Sequence, residues 1–72
     1  MDIQDIVDAT KETSPYFFSE ETLVFFGQTL ESFSIEETED GRYRISAPYG
    51  EGRPAGETVR FFNPKNNKLE RS

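Results

Sequence analysis

Carboxylates are the chemically active groups of this chain of 72 residues, which has fourteen Asp and Glu against eight Lys and Arg, and neither His nor Cys. Asp2, Asp5, Asp8 and Glu12 recur at intervals of three or four, Glu20 and Glu21 are adjacent, and Glu36, Glu37, Glu39 and Asp40 crowd one short stretch. Paired carboxylates can do acid and base work when their surroundings separate their protonation states. Here so many share one small surface that no pair stands out. The absence of His and Cys removes most nucleophile and base pairings and the ordinary zinc sites. The expectation is a protein that is not an enzyme, with no catalytic residue, no metal site and no cofactor.

Recognition by charge is the chemistry that remains. Residues 1–40 carry eleven carboxylates against Lys11 alone, while residues 41–72 carry seven Lys or Arg against Glu51, Glu57 and Glu70. Halves near −10 and +4 make up the net charge of −6. Such asymmetry speaks to partners. In the first reading, Asp2, Asp5, Asp8, Glu12, Glu20, Glu21, Glu36, Glu37, Glu39 and Asp40 form an acidic surface that docks on a basic groove of a protein, one that normally holds nucleic acid. Carboxylates on a helix would repeat every ~4.5 to 6 Å along its axis. That is sparser than the ~3.4 Å between phosphates of one DNA strand, so the row imitates a phosphate track coarsely while steering association. The plainer reading of the same residues is a solvated face that aids solubility.

The second reading is nucleic-acid binding by the basic half, with Arg42, Arg44, Arg60 and Phe62 on an outer sheet face and Tyr49 and Arg53 in a loop. Bases stack on aromatic rings beside guanidinium groups in this way. The net charge, and an expected pairing of Arg44 with Glu36, oppose it by weakening the phosphate attraction. Self-association through the oppositely charged halves or through sheet edges is a third reading, so monomer and homodimer both stay open.

One motif is nominal only. Gly50-Glu51-Gly52-Arg53-Pro54-Ala55 fits the G-x-G-x-x-A pattern of dinucleotide sites, yet Pro54 forbids the helix that must open there, and no βαβ unit fits the chain. The segment reads as a glycine-containing hairpin loop, with a role in partner binding as its functional version.

These residues need elements to position them. Ile3, Ile6, Val7 and Thr10 share a stripe that predicts a helix over Asp2 to Glu12, weakened by its β-branched residues and its like charges. Ser14-Pro15 breaks it. Ser19 is a capping residue for a second helix at about 20–30, with Glu20 and Glu21 in its first turn and Phe18 and Leu23 at the spacing of a hydrophobic staple. Gly27 is a candidate for an early stop. Runs over 33–38 and 42–47 flank Glu39-Asp40-Gly41. A three-residue loop with Gly41 left-handed pairs Thr38 with Arg42 and sets Phe33, Ile35 and Glu37 on the face of Ala47, Ile45 and Tyr43. Glu57 to Phe62 is a third strand, and Lys65-Asn66-Asn67 a turn before Leu69.

The order α, α, β, β, β predicts an α+β fold, two short helices packed on one face of a three-stranded antiparallel sheet. Residues 1–72 are too few for more than one domain. Within it, 14–69 form the core and 1–13 a frayed or separate N-terminal helix. Aromatic rings supply most of so small a core. Phe17 or Phe18, Phe26, Phe33 and Phe61 are expected inside, with Phe25 and Phe62 as the exposed members of their pairs.

The stretch from Ser14 to Leu30, which contains Phe25-Phe26-Gly27-Gln28-Thr29, with Gly41-Arg42-Tyr43 and Gly56 to Lys65, resembles a group of short phage, prophage and plasmid proteins of unassigned activity. The likeness covers about Ser14 to Leu69. It implies a small accessory protein of a mobile element and carries over no activity and no binding residue. Inhibition of a host or element-encoded complex that handles nucleic acid or serves defence would suit such an element. The chain has no long apolar run, and its Asp-rich start is the reverse of a secretory leader. The expectation is therefore the host cytoplasm, without a membrane partner.

Overall fold

A computed structural model describes residues 1–71 of the protein. Two short helices, α1 (Ile3–Ala9) and α2 (Glu20–Phe26), and a 3-10 turn (Leu30–Ser32) precede four strands, β1 (Ser34–Glu37), β2 (Tyr43–Pro48), β3 (Glu57–Asn63) and β4 (Lys68–Glu70). The strands form one antiparallel sheet in chain order β1-β2-β3-β4. The class is α+β as expected, but with four strands where three were expected. The fourth is only three residues long, too short to show alternation. Asn carboxamides build the turn into it: Asn63 Oδ1 accepts from Lys65 N at 3.0 Å, Asn66 Oδ1 accepts from Lys68 N at 3.1 Å, and Asn67 takes φ 55°.

α1 is shorter than its pattern. Asp2 and Asp5 close a reciprocal cap, each side chain accepting from the other's backbone N–H at 3.1 Å. Thr10 ends the helix by turning its hydroxyl back to Ile6 O at 2.8 Å, the local bonding that makes Thr a poor interior residue. Glu12 therefore lies beyond the helix rather than on its acidic row. α2 starts where expected, with Ser19 Oγ accepting from Thr22 N at 3.3 Å, and stops at Gly27, which takes the left-handed φ of 66°.

The hairpin has the expected register. Ile35 faces Ile45, Glu36 faces Arg44 and Glu37 faces Tyr43, and Gly41 is left-handed at φ 85°. Thr38 N donates to Arg42 O at 2.7 Å, and Thr38 Oγ1 accepts from Arg42 N at 3.1 Å. Across the next pair Tyr43 faces Phe62 and Ile45 faces Arg60. Alternation then sets Phe62 on the face of Ile45, and Phe61 on the other.

The core follows from that register. Ile6 of α1, Ile45 and Phe62 are fully buried and pack together, with Ala9, Phe17, Phe18, Phe33, Ile35, Tyr43 and Leu69 around them. Phe18 meets Phe17 and Phe33 edge-on, at 4.7 and 5.5 Å between centroids. The expected roles of Phe61 and Phe62 are thus reversed. Phe62 is inside at 0% exposure, and Phe61 lies half-buried under the Arg42 guanidinium at 4.7 Å.

Candidate functional site

α2 has no buried residue, so its place depends on how its C-terminal end is held. Gly27 lies so close to Gly50 that a Cβ built on Gly27 would come within 2.9 Å of Gly50 Cα. Gly50 N donates to Phe26 O at 3.0 Å, and Phe26 stacks on Tyr49 at 5.4 Å and 13°. Arg53 from the same loop donates to Phe25 O at 2.7 Å and Val24 O at 3.0 Å, supplying the positive charge that the last turn itself lacks. Gln28, 6% exposed, reaches under the sheet end and donates to Ala47 O at 3.1 Å, Pro48 O at 3.3 Å and Thr58 Oγ1 at 3.0 Å. The Phe25-Phe26-Gly27-Gln28 string is therefore a clamp: a ring that stacks, a glycine that admits another glycine and an amide that satisfies strand-end carbonyls.

The clamp turns one face of α2 outward. Glu20, Glu21, Val24 and Phe25 share that face by helical spacing, with Val24 64% and Phe25 70% exposed. Phe25 is outside, as its sequence pairing with Phe26 implies, and Val24, four residues after Glu20, joins it on this face.

The acidic residues are mostly left without counter-ions. Among the described residues the ion pairs are Asp8 with Lys11 at 3.1 Å, Asp40 with Arg42 at 2.8 Å, Glu70 with Arg42 at 3.2 Å and Glu57 with Arg44 at 3.6 Å. Of the ten expected acidic contact residues, only Asp8 and Asp40 have a cationic partner, while Asp2 and Asp5 are occupied with the α1 cap. Glu12, Glu20, Glu21, Glu36, Glu37 and Glu39 are exposed. Arg44, level with Glu36 in the sheet, pairs with Glu57 instead of the expected Glu36.

Arg60 and Phe62 do not lie on the outer sheet face expected of them. Phe62 is buried, and Arg60 lies on the same sheet face as Phe62, its guanidinium 5.5 Å over Phe17. Arg42 and Arg44 are paired with carboxylates, and Arg53 gives two of its N–H groups to helix carbonyls. Tyr49 stacks on Phe26. Among the described residues no group of three or more Asp or Glu could hold a metal ion, and no helix is long and apolar enough to cross a membrane.

Two carboxyls have shifted affinities for protons. Hydrogen bonds from Lys11 and Gln4 hold Asp8 below its ordinary 3.8, and those from Thr38 and then Arg42 do the same for Asp40. Asp40 in turn, with Glu70, raises Arg42. A carboxyl whose native value is lowered stabilises the fold fully above its unfolded value of 3.8 and loses that contribution as pH falls through the lowered native value. Thermal unfolding should therefore show a melting temperature that declines below about pH 4, with a smaller decline in Thr38→Val, which removes the leading cause at Asp40.

Comparisons with protein-family models, with curated proteins and with solved structures find no match to the chain.

Proposed function

We propose that the chain is a small acidic accessory protein of a mobile element that binds a basic surface on a host or element-encoded protein. One observation carries this reading: nine of the eleven carboxylates in residues 1–40 have no Lys or Arg within 4.0 Å among the described residues, although seven cations follow in the same chain. The basic residues that form ion pairs draw mainly on carboxylates of their own half and the hairpin turn. A charged surface left unneutralised attracts an opposite one and speeds its encounter. The finer form of the proposal is that the partner's basic surface is a nucleic-acid groove, which the protein blocks as a phosphate mimic in the host cytoplasm. The α1 row supports mimicry less than the exposed carboxylates outside it, because Asp2 and Asp5 are turned to the cap and Asp8 to Lys11. The reading takes both helices to share the sheet face of Ile45 and Phe62, where Ile6 packs.

The test reverses charges that have no structural duty. Tagged wild type and Glu12→Lys/Glu37→Lys/Glu39→Lys are incubated with host lysate, with and without nuclease treatment, and the bound proteins are identified by mass spectrometry. A stoichiometric partner with a basic surface, lost at least about tenfold in the variant and weakened by salt, is the expected result. Equal capture by both proteins would refute the acidic contact. Binding that vanishes with nuclease treatment would move the reading to nucleic acid.

A further inference from the structure

The outward face of α2 is apolar in its middle and oppositely charged at its two ends. Phe25 stands between two open hollows. One, of about 490 Å³, is lined by Glu20, Glu21 and Val24 as well as Phe25; the other, of about 420 Å³, is lined by Phe26, Tyr49, Arg53 and Pro54 beside it. A scattered exposed apolar residue is ordinary, but adjoining Val24 and Phe25 on a helix with no fully buried residue form an apolar patch open to a cover.

We propose that this face is covered by the same face of a second copy, with the two α2 helices antiparallel about a twofold axis. A twofold contact requires a surface complementary to itself, and this one is. Antiparallel alignment sets Glu20 and Glu21 of each copy against Arg53 of the other and drops each Phe25 into a hollow of its mate. Arg53 has donors to spare, since a guanidinium carries five N–H groups and the helix carbonyls of Val24 and Phe25 take one each from Nε and Nη2. Seven residues of helix are only ~10 Å long, so the charged ends of the two copies lie near the apolar centre of the contact. A contact this short makes a weak dimer, one that forms with rising concentration. Glu12, Glu37 and Glu39 take no part in it, so dimerisation and capture of a basic partner stand or fall separately.

Sedimentation equilibrium of the full chain from micromolar to millimolar concentration reads the outcome. The mass should climb from 8.3 kDa toward twice that value. Phe25→Ser should stay monomeric with an unchanged circular dichroism spectrum and a melting temperature lowered by only a few degrees, from loss of its edge contact with Phe26. Glu20→Arg/Glu21→Arg, which leaves the bonds of Arg53 to the helix carbonyls intact and brings like charges together at both ends, should stay monomeric at millimolar concentration. A wild type that is monomeric at millimolar concentration overturns the proposal. So does a Phe25→Ser variant that still dimerises. Dimerisation of Glu20→Arg/Glu21→Arg by itself overturns the antiparallel arrangement.

Discussion

Phe62→Ala should come close to unfolding the domain, whereas Phe61→Ala next to it should leave a well-folded protein. Phe62 has no exposed surface and packs with Ile6 and Ile45, facing Tyr43 on one neighbouring strand and Leu69 on the other. Truncating a buried Phe costs about 3 to 5 kcal/mol, since the lost transfer energy adds to an unfilled cavity. A domain of this length has only ~4 to 11 kcal/mol in total. The melting temperature should fall by roughly 15 to 30 °C. Phe61 is on the opposite face, half-buried beneath Arg42, and its removal forfeits partial burial and a cation–π contact of about 1 kcal/mol. Thermal unfolding of the two variants side by side decides the register of β2 on β3. A larger loss in Phe61→Ala would mean that the strand is paired one residue off, because such a slip exchanges the two faces.

The same pair of rings marks where the sequence stops being legible. The β1–β2 hairpin could be read residue by residue, because Asp40-Gly41 restricts the loop and both strands alternate toward one face. β3 alternates as well, but each of its faces carries a Phe, and it reaches β2 across the eight residues Tyr49–Gly56, a connection whose length does not set register. Arg60 misleads further. A cation argues for an outer face, yet here it lies on the core side because a guanidinium can lie over Phe17 while its stem covers apolar surface. That inversion takes Arg60 and Phe62 off the expected outer face, where Arg44 lies opposite Phe61 and Arg42 over its ring. The acidic surface was legible as composition, since charge counts need no fold. Which carboxylates remain without partners was not, since Arg44 takes Glu57 from the neighbouring strand rather than Glu36 level with it. The end of α2 was half legible: Gly27 signals a stop, but the reason it must be glycine lies in a loop more than twenty residues away.

Gly50→Ala tests that reason, and its expected effect rivals that of the core Phe. A Cβ at Gly50 would sit 2.8 Å from Gly27 Cα and 2.9 Å from its carbonyl carbon, and closer still to its carbonyl oxygen. These are backbone atoms of a helix terminus, so no rotamer relieves the overlap; the loop must withdraw from α2. Withdrawal breaks the Gly50–Phe26 backbone bond, separates Phe26 from Tyr49, and carries Arg53 off the carbonyls of Val24 and Phe25. Overpacking of this kind costs about 1 to 3 kcal/mol or more, and loss of the Gly50–Phe26 bond adds about 1, while the exposed carbonyls that Arg53 leaves turn to water. Gly52→Ala in the same loop is the control. Nothing lies within 4 Å of its added Cβ, and its φ of 78° charges only the left-handed penalty, about 1 to 2 kcal/mol. Gly50 has no positive φ among the backbone angles, so whatever Gly50→Ala loses is contact rather than conformation. The melting temperature should drop by some 10 to 20 °C in Gly50→Ala, with amide chemical-shift changes concentrated at Phe26, Gly27 and Gln28. Wild-type stability in that variant would mean that α2 is not clamped against the loop. The outward face of Val24 and Phe25 would then have no fixed direction, and a twofold contact built on it would lose its foundation.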